Sequence, residues 1–265
     1  MNLKQKYGST ALVAGASEGI GAAFATFLAE EGMDLVLIAR RIQPLQQLAD
    51  SLENKYNIKV ICIPCDLSDV NASQQIETTL NGREISLIVY NAALSYIGPF
   101  LDNPPEAISL AARVNMITPL NLVRLFGEKM VKRGKGAVIL MTSLAGFQGS
   151  GYLSLYAATK AFNRILAESL WYEWKNKGVD VIACCAGATA TPGYKNSSPE
   201  KSGFLTPRVL NPEEVPPECF KKLGRQPSHI TGRGNRIASF IMQKLLPRKM
   251  AITIMGDTTR KMYRL

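Results

Sequence analysis

Histidine is almost absent from this chain of 265 residues, His229 being the only one. A single imidazole excludes a histidine-based metal centre and leaves a Ser-His-Asp hydrolase no general base but His229 itself. Cysteine is scarce too. The five at positions 62, 65, 184, 185 and 219 are odd in number and lie mostly in apolar, strand-like segments, which reads as reduced thiols and not as a disulfide framework. Cys62 and Cys65 form a C-x-x-C pair, yet no thioredoxin-type helix start follows and no second pair or histidine stands at zinc-ligand spacing. No metal site is expected. Long apolar runs are missing as well: none approaches the roughly 18 residues of a membrane span, and the stretch 1–8 has no apolar core of a secretory signal. The protein is therefore read as cytoplasmic. Neither an internal repeat nor a low-complexity tract is found.

What is present suits one large α/β domain spanning 1–265, since 46% of the residues are hydrophobic and 20% charged. Apolar runs at 10–15, 34–39, 59–64, 85–90, 136–143 and 178–185 alternate with helical patterns near 19–31, 43–56, 69–80, 105–133 and 152–176. The runs are continuous and rich in Val, Ile and Leu, as in parallel strands covered on both faces. This predicts a Rossmann-type doubly wound parallel sheet. The stretch 187–217, with six prolines, breaks the rhythm and reads as an irregular substrate loop.

Charge is unevenly placed. Residues 221–265 hold eleven Lys/Arg and one acid, Asp257, so this basic segment carries the whole net charge of +10. Such an end can attract an anionic ligand or an acidic surface. With no helix-turn-helix or zinc pattern beside it, no nucleic-acid partner is expected.

Two clusters carry chemistry. After the first strand, Gly15-Ala16-Ser17-Glu18-Gly19-Ile20-Gly21 opens a helix; glycines there let the backbone approach a pyrophosphate held by the helix N-terminus. The second strand ends Ala39-Arg40-Arg41, with arginines where an acid would select a free ribose 2′-hydroxyl, which favours a 2′-phosphate and hence NADP(H). Further along, Tyr156 and Lys160 stand four apart in a helical segment and share a face. A lysine cation close to a phenol lowers its pKa and makes a tunable acid/base. Ser143 ends the fifth strand at the carboxyl edge, where a hydroxyl can bind a substrate oxygen.

These motifs, in this order, resemble the short-chain dehydrogenase/reductase family over nearly the whole chain. Ala14-Gly15 to Gly21 is similar to its T-G-x-x-x-G-x-G turn, Tyr90-Asn91-Ala92-Ala93 to its N-N-A-G, and Ala186-Gly187 to its P-G turn, with departures at Ala14, Tyr90, Ala93 and Ala186. The resemblance implies that Tyr156 exchanges the proton, Ser143 orients the substrate, and Asn115 holds a water in a relay to Lys160. Lys160 would also hold the nicotinamide ribose. It implies cofactor contacts from Gly15, Ser17, Gly19, Ile20, Gly21, Arg40, Arg41, Asp66, Leu67, Asn91, Gly187 and Thr191, and a homodimer or homotetramer.

The expected activity is NADP(H)-dependent interconversion of a carbonyl and a secondary alcohol. Leu94, Tyr96, Leu144, Phe147, Tyr152, Leu153 and Tyr194 are candidate walls for a hydrophobic substrate, and the basic end suits one that is also anionic. Segments 1–8, 187–192 and 223–235 look most like the bacterial NADP-dependent 7β-hydroxysteroid dehydrogenase group of the family, pointing to a hydroxysteroid or bile acid. A 3-oxoacyl (fatty acyl) reductase fits the same facts. The alternative of another class, a non-catalytic NADP(H)-sensing regulator, would have no use for Ser143, Tyr156 and Lys160 together.

Overall fold

The computed structural model describes residues 2–197, 199 and 209–265. After a short helix α1 (Leu3–Tyr7), strands and helices alternate as β1 (Thr10–Ala14), α2 (Gly19–Glu30), β2 (Asp34–Ala39), α3 (Ile42–Tyr56), β3 (Val60–Pro64), α4 (Ala72–Leu80) and β4 (Leu87–Tyr90). The second half runs α5 (Pro105–Ala112), α6 (Thr118–Arg133), β5 (Gly136–Ser143), α7 (Ser154–Trp174), β6 (Val179–Ala186), α8 (Pro192–Asn196), α9 (Val215–Lys222), β7 (Ser228–Ile230), α10 (Arg233–Phe240) and α11 (Arg248–Tyr263). The strands form one parallel sheet in the order β3-β2-β1-β4-β5-β6-β7. This is the doubly wound, single-domain architecture that the alternating pattern predicts.

Burial explains the continuous apolar strands. In β1 every residue is buried, with Ala11 and Val13 packing into one core and Leu12 and Ala14 into the other. The first core lies under α2, α3 and α9, the second under α4, α6 and α7. Two-sided burial leaves no solvent-facing side for a polar stripe, so period-two alternation disappears. Between β1 and β4 the chain order reverses, opening a crevice at the carboxyl ends of the strands.

Three local outcomes differ from the sequence pattern. The helix expected over 105–133 is interrupted by a π-turn at Arg113–Ile117. Of the stretch 187–217, residues 198 and 200–208 lie outside the described residues, and the rest is less irregular than its prolines imply. Its described part holds α8, a bridge between Thr189 and Leu210, and a 3₁₀ turn, Pro212–Glu214, leading into α9, where Pro212 and the pair Pro216–Pro217 sit at helix starts that need no N–H. A seventh strand, only three residues long, joins the sheet edge. Among the described residues no helix is long and apolar enough to cross a membrane.

Candidate active site

The glycine turn follows β1 at the crevice. Gly15 (φ 78°) and Gly19 (φ 59°) occupy the left-handed region, and a Cβ on Gly15 would stand 2.7 Å from the amide nitrogen of Ala92. A Cβ on Gly19 would stand 2.8 Å from the Thr191 methyl, and one on Gly21 would strike the Gly15 carbonyl. Asn91 ties the turn to the end of β4 by donating from Nδ2 to the Gly15 carbonyl at 3.1 Å. The glycines therefore serve close approach, leaving backbone amides at the start of α2 facing the crevice.

A cleft of about 500 Å³ opens there, lined by Gly15, Ser17, Gly19, Ile20, Arg40, Arg41, Asp66, Leu67, Asn91 and Thr191, so ten of the thirteen expected cofactor residues meet in one space. Gly21 lies beneath the turn, Lys160 lies deeper, and Gly187 packs behind against Asn235 of α10. Asp66 is held below the usual carboxylate range, chiefly by the Ser68 amide at 2.9 Å, with the Ser68 hydroxyl and Arg40 adding to it. Arg41 is engaged by the carboxylate of Glu18 at 2.5 Å, within the turn itself. The donor set fits a dinucleotide carrying a 2′-phosphate: a glycine cradle that side chains would fill, two arginines at the end of β2, and no acid there.

The same turn also reads G-x-S-x-G, the form of a hydrolase nucleophile elbow. Its base is missing. His229 lies in β7, four strands from β1, where its Nε2 meets Glu218 at 3.2 Å and burial keeps its pKa below the ordinary value.

Ser143, Tyr156 and Lys160 converge beside the crevice. Ser143 closes β5, its hydroxyl accepting from the Ala145 amide at 3.2 Å and standing close enough to the Tyr156 phenol to favour its ionised form. Lys160 is 3% exposed and donates to the Met141 carbonyl at 2.9 Å. Burial pushes its pKa down to about 8. The expected lowering of the tyrosine pKa is not what these surroundings produce. Burial raises it, the nearby Ser143 hydroxyl acts the other way, and Tyr263 adds to the rise. The Lys160 nitrogen sits 5.6 Å from the ring centroid and spends a hydrogen bond on Met141, so desolvation of the phenol wins.

Asn115, in the π-turn, is fully buried. Its side chain clamps the loop after β4, accepting from the Leu94 amide and donating to the Leu94 carbonyl, both at 2.8 Å, and reaches Thr159 Oγ1 at 3.0 Å.

Among candidate substrate walls, Leu94 and Tyr96 line the cleft, while Leu144 begins a 3₁₀ turn and Tyr152 and Leu153 lead into α7. Tyr194 stands in α8 near Tyr263. Phe147 does not face the cleft. It packs against the Arg164 guanidinium, 4.6 Å away, in a second depression that both residues line. Tyr263, which no motif marks, reaches over from α11 to influence both Tyr156 and Tyr194 and comes within 3.4 Å of the Ser197 hydroxyl. Its helix packs on the loop after β5 through Ile252 beside Gly149 and Arg248 on the Phe147 carbonyl.

The family model described as short chain dehydrogenase matches residues 9–202. The chain belongs to that family. This short-chain dehydrogenase is 32% identical over 238 residues to a 7β-hydroxysteroid dehydrogenase of Mediterraneibacter gnavus, covering 89% of the present chain and 90% of the relative. It is 30% identical over 263 residues to a very-long-chain 3-oxoacyl-CoA reductase of Danio rerio, covering 97% and 83%. A solved structure from work on 7β-hydroxysteroid dehydrogenase stereoselectivity superposes with a TM-score of 0.89 at 30% identity, covering 96% and 99% of the two chains. The expected family, fold and oxidoreductase class are thus borne out, as is the likeness to the 7β-hydroxysteroid enzymes.

Proposed function

We propose that this dehydrogenase reduces a ketone on a steroid nucleus to the secondary alcohol, or runs the reverse oxidation, with NADP(H), and that a 7-oxo bile acid is the substrate class. The observation that carries the chemistry is the convergence of Ser143, Tyr156 and Lys160 at the carboxyl edge of β5, next to a glycine cradle bordered by Arg40 and Arg41. Bound NADPH supplies the hydride. Ser143 holds the ketone oxygen and stabilises the charge that grows on it. Tyr156, kept protonated by burial, delivers its proton to that oxygen. Lys160 would return the proton through water that Asn115 positions, and would hold the nicotinamide ribose. Direction follows the cofactor pool, since the residues only position and tune.

The substrate class rests on the likeness to 7β-hydroxysteroid dehydrogenases along nearly full length, together with an aromatic wall of Tyr96, Tyr194 and Tyr263 and a basic C-terminal segment suited to a carboxylate tail. A second reading, reduction of a 3-oxoacyl thioester, is favoured by the likeness to the Danio rerio reductase. We also propose a cytoplasmic homo-oligomer, the association supported by Ile237, Phe240 and Leu245, which are more than half exposed on α10 and the turn after it. Consumption of NADPH with a panel of 7-oxo bile acid, 3-oxoacyl thioester and small ketone tests the reading. Turnover of the steroid is expected. Turnover of the thioester alone selects the second reading, and tight NADPH binding with no turnover selects a sensor.

A further inference from the structure

The π-turn that carries Asn115 creates a backbone problem. The Thr118 amide, which a regular helix would give to the Val114 carbonyl, donates instead to the Arg113 carbonyl. The residue four beyond Asn115 is Pro119, which has no N–H, so the Asn115 carbonyl also lacks its helical partner. Two side chains fill these places. Tyr90, buried at the end of β4, donates to the Val114 carbonyl at 2.6 Å, and Asn163, one turn beyond Lys160 on α7, donates from Nδ2 to the Asn115 carbonyl at 2.9 Å.

Asn163 is 2% exposed. A carbonyl can only accept, which fixes the amide with its nitrogen toward Asn115 and its oxygen the other way. That Oδ1 is buried with no hydrogen-bond partner among the described residues. A buried polar atom is costly unless paired with protein or an ordered water, so this Oδ1 is a place for an acceptor bond to solvent. Asn163 shares its helix face with Lys160, which is itself buried and whose ammonium, among the described residues, has the Met141 carbonyl as its one hydrogen-bond acceptor.

We propose that Asn163 is a positioning residue of the proton relay, its Nδ2 holding the Asn115 carbonyl in place and its Oδ1 accepting from the water that carries protons to Lys160. Tyr90 supports the same turn from the other side, so the departure of Tyr90 from the family's asparagine serves the relay and not the cofactor. The inference rests on the reductase reading above.

Wild type, Asn163→Leu, Asn163→Ser and Tyr156→Phe are compared with NADPH and a 7-oxo bile acid, and the Lys160 ammonium is titrated by NMR on protein with isotope-labelled lysine, which needs no substrate. In Asn163→Leu, kcat falls by about tenfold with KM for NADPH unchanged, the Lys160 midpoint moves further down because the ammonium loses its water, and Asn163→Ser recovers part of both. A wild-type kcat and midpoint in Asn163→Leu overturn the proposal. So does a loss of kcat that follows lowered melting temperature with the midpoint unmoved, which is a structural role only. A wild type that turns over no ketone, or a fully active Tyr156→Phe, defeats the reductase reading instead, and the lysine titration still decides the place of Asn163.

Discussion

The Lys160 ammonium donates to the Met141 main-chain carbonyl across 2.9 Å, in surroundings that leave the residue 3% exposed. Desolvation places its pKa at about 8, so its charge is lost within the working range of pH. The quotient kcat/KM for NADPH, which reports the free enzyme, is therefore expected to be level in mild acid and to fall with unit slope above pH about 8. In Lys160→Arg, charged throughout, the slope disappears at a lower overall rate. The linked stability has the opposite sign from a salt-bridged lysine. Between about 8 and 10.5 the unfolded chain binds the proton that the folded chain has released, so stability rises with pH through that window. At roughly 1.4 kcal/mol per pKa unit the gain is about 3 kcal/mol. Denaturant melts of Lys160→Met should lack it, and a wild-type stability that falls across the window would contradict the burial argument.

Arg41 lies in an ion pair with Glu18 inside the cofactor cleft. Replacing Arg40 and Arg41 together with Ser should weaken NADPH binding by about 10- to 100-fold, since charge-assisted contacts are worth about 1.5 to 3 kcal/mol each and these are exposed. NADH should change little. Glu18→Gln works in the other direction: a 2′-phosphate no longer competes with a carboxylate for Arg41, and NADPH should tighten by about two- to fivefold, in keeping with an exposed pair worth at most about 1 kcal/mol. Fluorescence titration with both cofactors reads each case. Equal losses for NADPH and NADH would remove the arginines from phosphate recognition.

The apolar stripe of Ile237, Phe240, Ile241 and Leu245 is left uncovered by the chain's own core. Sedimentation should show more than one subunit, and Ile237→Asp with Phe240→Asp should shift the distribution toward monomer. A wild type that is already monomeric at micromolar concentration removes the interface. For a carboxylate-bearing substrate, KM should rise with salt, because exposed charges are screened over about 10 Å at roughly 0.1 M; a KM flat with salt makes the basic end a solvated surface.

The sheet was legible because two-sided burial leaves unbroken apolar runs, and the cofactor cleft because Gly15, Gly19 and Gly21 stand where no side chain fits. The break in the 105–133 helix was less visible. Its trace was Pro119 just after Asn115, but a proline near a helix start is ordinary, and only the fold shows Tyr90 and Asn163 meeting the freed carbonyls. The tyrosine pKa was misjudged because spacing of four reports a shared face and says nothing of where the lysine nitrogen ends. Tyr263 left no signal, since its place near Tyr156 depends on α11 folding back across the loop after β5. The strand Ser228–Ile230 was too short to register as a period.

The account stands on Tyr156 as the proton donor to a steroid ketone. Single-turnover oxidation of NADPH by wild type and Tyr156→Phe with a 7-oxo bile acid, alongside cofactor titration of both, tests this most directly. Loss of the phenolic hydroxyl should leave NADPH affinity within about twofold and the fold intact while slowing turnover by about 10²- to 10⁴-fold, the range for a positioned general acid. A Tyr156→Phe enzyme that reduces the ketone at the wild-type rate would contradict it.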